Sequence, residues 1–275
     1  MIVPSMPPEG RIDAVLRAQE ERRAQVRRTV AGAALVLLAA LAFSGCFEVS
    51  RYRDLPRTLS TLLSEAWPPD FTRWRQWGKP LLETLAMSVA GTGVAALASI
   101  PLGALASGRL GPRWSVRLAR LVLDTARSIP CLVWGIAFVA AVGFGPLPGM
   151  LALACHSTGM LGKFFAEILE HAESSPSEAV ASLGVGNVGI LRFVLLPQCL
   201  PRMVDVVLYR LEHNVREATT VGVVGAGGIG LEIVTAFHLF EYSEALALLI
   251  LLLVLVAVLD QLGSRLRRRL LGTAT

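Results

Sequence analysis

The chain has 275 residues, 53% of them hydrophobic and 17% charged, with a formal net charge of +5. Soluble domains carry about 25% charged residues, so this composition excludes an ordinary water-soluble globule and calls for a lipid solvent. Lys79 and Lys163 are the only lysines, which makes arginine placement the informative part of the positive charge. Basic patches interleaved with aromatics are missing, which argues against nucleic acid as a partner. Cys46, Cys131, Cys155 and Cys199 stand singly in apolar stretches with no C-x-x-C and no His at ligand spacing. They read as small core residues, and no metal site is expected.

A bilayer core about 30 Å thick needs roughly 20 mostly apolar residues per spanning helix. In chain order the stretches that qualify are 30–47, 81–107, 118–142, 147–169, 204–224 and 245–262. The expected fold is therefore all-α, a polytopic membrane bundle of about six transmembrane helices. Residues 1–29 form a segment before the first span at 30–48, and 49–80 an external or interfacial loop. The core covers 81–262, with a loop at 171–202, and 263–275 is a basic tail. Phe43-Ser44-Gly45-Cys46 imitates a lipoprotein cleavage site. The stretch before the apolar run is too long for a signal n-region and more apolar segments follow, so an uncleaved first span is expected.

Short loops rich in Arg stay inside the cell. Arg22, Arg23, Arg27 and Arg28 precede the first span, Arg109, Arg113, Arg117 and Arg120 separate the second from the third, and Arg265, Arg267, Arg268 and Arg269 close the chain. The loops 143–146 and 225–243 have no Lys or Arg. Both termini are thus expected in the cytoplasm. The exception is 50–80, whose Arg51, Arg53, Arg57, Arg73, Arg75 and Lys79 must lie outside. Its Trp67, Trp74 and Trp77 read as an amphipathic segment at the membrane interface.

Within the second span Ala95, Ser99, Gly103 and Ser107 recur every fourth residue, a small-residue face suited to close helix approach. Pro101 and Pro130 are expected to kink their helices, leaving carbonyls that need partners or water. The fifth span holds Asp205, Arg210, Glu212, His213, Arg216 and Glu217, so it must face protein or water. Glu212 and Arg216, one turn apart, can neutralise each other.

Val223-Val224-Gly225-Ala226-Gly227-Gly228-Ile229-Gly230 fits the dinucleotide fingerprint G-x-G-x-x-G. No carboxylate lies about 20 residues on and the stretch sits between membrane spans, so an NAD site is rejected. Two readings of Gly225, Gly227, Gly228 and Gly230 stand: an outer gate or hinge, or a plain helix-terminating loop. The run from Ser157 to Phe164 lacks the first P-loop glycine and the Ser/Thr after Lys163. The chain is not expected to hydrolyse ATP, to bind a cofactor or to be an enzyme.

Between the fourth and fifth spans, Ser175-Pro176-Ser177-Glu178 reads as a capped helix start, with Ser175 as N-cap, Pro176 at the first position and Glu178 closing a capping box. Gly184 can end that helix in a left-handed turn, and Asn187 can start another. On residues alone, Glu178 can equally be a cap and nothing more. Glu178, Ala179, Gly184, Val194, Leu196 and Pro197 fall in register with the EAA loop and resemble that of ABC importer permeases, with Val180 where a second alanine is common. The resemblance implies a coupling helix that docks in a cleft of a separate ATPase subunit, which uses the ATP.

Arg127-Ser128-Ile129-Pro130, His156-Ser157-Thr158-Gly159, Leu161-Gly162-Lys163, Tyr209-Arg210 through Asn214-Val215-Arg216, and the glycine element together resemble the phosphonate-type permease over roughly 80–262. That resemblance implies a subunit of a bacterial inner-membrane importer for phosphonate, phosphite or phosphate. It further implies an external binding protein and a permease homodimer. The translocation path would draw on Arg127, Lys163 and Arg216 for positive potential and on His156, Ser157, Thr158 and Asn214 for hydrogen bonds. The glycine element is shared with methionine-type permeases, so an amino-acid permease is the alternative, and a membrane-embedded enzyme a more distant one.

Overall fold

The computed structural model describes residues 8–47 and 53–271, with side chains at 19–47 and 53–268. Among these residues there are eleven α-helices and no strand. The chain divides into one unit ending at Leu62 and another beginning at Leu63. The first holds α1 (Pro8–Phe43) and most of α2 (Leu55–Ala66). α1 runs unbroken through residue 30, and its Gln19–Phe43 part is long and apolar enough to cross a membrane. Helical periodicity puts Leu55, Leu59, Leu62, Leu63 and Ala66 of α2 on one face and Arg57, Ser60, Thr61 and Ser64 on the other.

The second unit is a bundle built on α3 (Gly78–Ala106) and α6 (Pro146–Glu170), which run parallel. Their contact is made of small residues, since lipid offers no hydrophobic drive between helices and close packing must supply the attraction. Ala95, Ser99, Gly103 and Ser107 are all buried, as the four-residue spacing predicted. A methyl at Gly91 would lie 2.9 Å from Leu153 Cβ, and one at Gly103 2.8 Å from Phe165 Cβ and 2.9 Å from the Gly162 carbonyl. Gly93, on the same helix, faces open space. Gly103→Val is therefore expected to cost about 1–3 kcal/mol through overpacking and Gly93→Val much less. The yield of monodisperse detergent-extracted protein checks this, and equal yields would contradict it.

α4 (Arg113–Ser128) and α5 (Cys131–Val142) meet at Pro130 with an 88° bend, so the third expected span is a broken pair rather than a straight rod. Pro130 has no N–H for the carbonyl of Ala126. The Trp134 indole N–H donates to that oxygen instead, at 3.2 Å, and His156 Nδ1 serves Ile129 O at 3.0 Å. Among the described residues, parts of α1, α3 and α11 (Tyr242–Leu271) meet the length and apolarity of a span, which makes three, or five if each bent pair counts once. α6 falls below that apolarity. It is the central helix, packed against α3, α4, α5 and α9, so His156 and Ser157 at its middle face protein, whereas Lys163 and Glu167 nearer its end are half-exposed.

After α6 come α7 (Ser174–Ala181), α8 (Asn187–Ile190), a π turn over Leu191–Leu195, and α9 (Leu196–Val221). α9 runs antiparallel to α3 and α6, with Cys199 near Ile168 and Asn214 bonded to Thr92 and Ser157. The capping expectation needs correction. α7 starts at Ser174 behind Glu173 and makes no side-chain cap, so Ser175 and Glu178 form no capping box. Gly184 does take the left-handed conformation, φ +79°, and Asn187 opens α8.

A second π turn, Gly222–Ala226, leads into α10 (Gly228–His238), bent 59° from the helical run before it. The stretch 225–243, read from sequence as a loop, is thus largely helical. Its apolar run from Ile229 to Phe240 was the available signal. Near the start of α11, Glu244 and Glu241 accept from Arg73 at 2.8 and 3.2 Å, Glu244 accepts from the Trp77 indole at 3.3 Å, and Ser243 donates to Glu65 O at 2.7 Å. Residues 65–77 are thereby fixed to the α10–α11 turn. Trp67 and Trp74 are exposed, whereas Trp77 is buried. Thr72 donates its backbone N–H and hydroxyl to Asp70, holding that carboxyl below its usual range, while Glu244 and Glu241 raise the Arg73 guanidinium.

Candidate functional site

Three groups of residues occupy three levels of the bundle. At one end, the α7–α8 knuckle projects beyond the close of α6. Glu178, Ala179 and Gly184 are exposed, Val194 and Leu196 half-buried beside buried Leu195, and Pro197 exposed. Leu183, Val188 and Phe193 leave 79%, 72% and 72% of their surface uncovered, an apolar tip that water does not favour. The base of the knuckle is held by two arginines. Arg109 donates to Glu170 O and Ala172 O at 3.1 and 3.2 Å, closing the last turn of α6, and Arg120 reaches Glu170 Oε1 at 2.6 Å and Ala106 O at 2.9 Å. These arginines were legible in sequence only as a charge bias.

At the opposite end lies the glycine segment. Gly225, Gly227 and Gly228 have φ of +102°, +81° and +71°, conformations that L side chains rarely adopt. Gly230 is helical, but its Cα lies where any side chain would collide with the Thr219 carbonyl. Two acceptors from α3 receive the free N–H groups of α10: Glu83 Oε2 takes Gly228 N–H at 3.1 Å, and Thr84 Oγ1 takes Ile229 N–H at 2.9 Å. The Gly225 carbonyl accepts from Gly145 N–H at 3.1 Å. The segment is therefore pinned by α3 and by the α5–α6 turn.

Midway between the ends sits a buried polar cluster. Arg210 is only 3% exposed, and its Nε donates to Ser157 Oγ at 3.0 Å. Ser157 donates to Asn214 Oδ1 at 3.0 Å, and Asn214 Nδ2 to Thr92 Oγ1 at 2.8 Å. Thr92 and Ser88 return their own hydroxyl protons to backbone carbonyls of α3. Glu217 completes the group, pairing with Arg210 at 3.0 Å and His213 at 3.1 Å, with His156 at 3.8 Å. A buried charge persists only when paired and hydrogen-bonded, and both conditions are met here.

Of the path residues expected from sequence, the fold brings His156, Ser157 and Asn214 together around Arg210 and Glu217. Arg127 and Lys163 line a different cavity, about 260 Å³, where Asp124 and Glu167 neutralise them at 2.8 and 3.7 Å. Thr158 turns its hydroxyl back onto Ala154 O at 2.7 Å. Arg216 is half-exposed and pairs with Asp260 of α11 at 3.5 Å, not with Glu212. Glu212 is held by Arg267, which also approaches Asp205 at 3.9 Å. Sequence reasoning thus missed Arg210 as the buried arginine of the cluster; its partner Glu217 lies on α9 itself, whereas the partners of Arg216 and Glu212 come from α11.

An all-helical bundle with bent spans, a protruding knuckle and a glycine bend at the far end defines a membrane permease fold of the type I ABC importer class. Residues 99–272 match the family described as binding-protein-dependent transport system inner membrane component, and the chain belongs to that family. It is 42% identical to the phosphite transport system permease protein PtxC of Stutzerimonas stutzeri over 85% of both chains. The putative phosphite transport system permease protein HtxC of the same organism is 34% identical over 96% of this chain and 95% of its own length. The probable D-methionine transport system permease protein MetI of Vibrio cholerae is 28% identical over 54% of this chain and 69% of its own. Among solved structures, an inward-facing form of the MetNI methionine ABC transporter aligns with TM-score 0.62 and 25% identity, covering 70% of this chain and 95% of that one. The chain is a multi-pass inner-membrane transport subunit.

Proposed function

We propose that this chain is the permease through which phosphonate, or a related phosphorus oxyanion such as phosphite or phosphate, enters the cell. The observation that carries the reading is Arg210, a guanidinium buried at the core of an apolar bundle and surrounded by hydrogen-bonding groups of three helices. A doubly bonded, fixed guanidinium suits a phosphorus oxyanion better than a zwitterion, which gains less from concentrated positive charge. The relatives that match over most of the chain support the same class.

In this reading two copies of the chain pair with two cytoplasmic ATPases and an external binding protein, with lipid around the bundle. The knuckle bearing Glu178, Ala179, Gly184, Val194, Leu196 and Pro197 faces the cytoplasm, and so do both termini. Its small, apolar tip suits a cleft in the ATPase. Gly225, Gly227, Gly228 and Gly230 then lie at the outer end, where the bend into α10 serves as the gate. ATP is consumed by the partner, and this chain holds no cofactor. ATP-driven closure of the ATPases pulls the knuckles and reopens the bundle outward.

The test is uptake by proteoliposomes holding the permease, its ATPase and its binding protein. ATP-dependent accumulation of phosphite, methylphosphonate or phosphate is expected, and methionine should not compete. Accumulation of methionine without any phosphorus oxyanion would overturn the substrate reading.

A further inference from the structure

The groups around Glu217 point inward at its carboxylate from two helices. Arg210 Nη2 donates to Oε2 at 3.0 Å, and His213 Nε2 lies 3.1 Å and His156 Nε2 3.8 Å from Oε1. Arg210 is held from behind by Ser157, which is fixed in turn by Asn214 and, through it, Thr92. Exposure rises from the guanidinium outward: the side chain of Arg210 is 4% exposed, Glu217 20% and His213 40%. The carboxylate therefore stands at the mouth of the cluster, between the buried cation and whatever approaches it.

We infer that Glu217 is a tethered stand-in for the cargo: in the empty permease its carboxylate fills the oxyanion place on Arg210 and His213, beside His156, and a phosphorus oxyanion must displace it to pass. The inference rests on the substrate reading above. A planar carboxylate and a tetrahedral oxyanion both present oxygens about 2.2–2.5 Å apart to the same donors, so the exchange replaces like with like. Two consequences follow from the chemistry. The buried guanidinium is never left without a counter-ion, so a stray anion has to outcompete a carboxylate on the same helix. His156 adds selectivity. Its Nδ1 faces the Ile129 carbonyl, which only accepts, so Nδ1 carries a proton, and in the neutral form of the ring Nε2 keeps a lone pair on the side of the carboxylate. That lone pair meets no donor on Glu217, but would accept from the P–OH of a singly protonated oxyanion. Sulfate carries no such proton near neutrality.

The experiment uses the assembled permease and ATPase in proteoliposomes without the binding protein, with labelled phosphite and labelled sulfate as probes. Glu217→Gln is expected to tighten phosphite binding by about tenfold or more, the factor by which a competent state populated at roughly 10% or less depresses apparent affinity. It should also open an ATP-independent phosphite leak, with sulfate gaining less. Glu217→Asp, which keeps the charge on a shorter arm, should show a smaller gain. A residue of merely structural value would lose binding on substitution, not gain it. Assembled Glu217→Gln that binds and leaks phosphite no better than the natural protein overturns the inference. If that variant does not assemble, an unchanged phosphite affinity in Glu217→Asp overturns it instead. ATP-driven uptake by the complete natural transporter is measured alongside. Normal phosphite uptake with an unresponsive Glu217 removes only this inference, whereas no uptake of any phosphorus oxyanion removes the substrate reading and this inference with it.

Discussion

Combined Ala179→Trp and Gly184→Val substitution is expected to abolish both uptake and substrate-stimulated ATP hydrolysis while leaving the bundle assembled. Both residues are exposed on the knuckle, so neither change disturbs the core. Gly184 has φ +79°, where a β-branched residue is strained by about 1–3 kcal/mol. At about 1.4 kcal/mol per factor of ten, that strain alone amounts to roughly fivefold to somewhat over a hundredfold in any docking equilibrium. The Trp side chain then adds bulk to a surface whose present smallness admits close approach. ATPase rates of the assembled transporter, with and without binding protein and substrate, check the result. Normal stimulation would refute the docking role of the knuckle.

Arg210→Gln should reduce phosphite uptake far more than Arg216→Gln. Removing Arg210 leaves Glu217 and the Ser157–Asn214 pair facing a vacated position, and breaking a buried pair costs about 3–5 kcal/mol, well over a hundredfold in an equilibrium. Arg216, half-exposed and 3.5 Å from Asp260, belongs to the class of surface pairs worth about 0–1 kcal/mol, so its loss should change uptake by less than about tenfold. Initial uptake rates normalised to assembled protein decide the matter. Equal losses in the two variants would show that the buried cluster has no special part in passage.

Much of the architecture was legible in the chain. Composition and run length called for helices in lipid, the four-residue spacing of Ala95, Ser99, Gly103 and Ser107 marked the α3–α6 seam, and Pro130 marked the bend. The knuckle was legible too, because its residues carry a recognisable pattern. Its caps were misread: Ser175 offers a cap chemically, but α7 begins at Ser174, two residues before the expected start at Pro176, and uses no side-chain cap. α10 was hidden by the glycines around its start, Gly225 and Gly227 before it and Gly228 and Gly230 within its first turn, which read as a loop because glycine punctuates local structure whether or not a helix resumes.

The site was only partly legible, and the division has a physical cause. Hydropathy, helical period and motif spacing are properties of a few consecutive residues, so the sequence by itself determined the solvent, the helical class and the identity of the knuckle. Which arginine of α9 turns inward is a different kind of fact. It depends on the rotation of α9 about its own axis against α3, α6 and α11, and that rotation is decided by all their contacts at once. Only the tertiary structure put Arg210 on Ser157 and Glu217, sent Arg216 out to Asp260, gave Glu212 to Arg267, and pinned the glycine bend to Glu83 and Thr84 of α3.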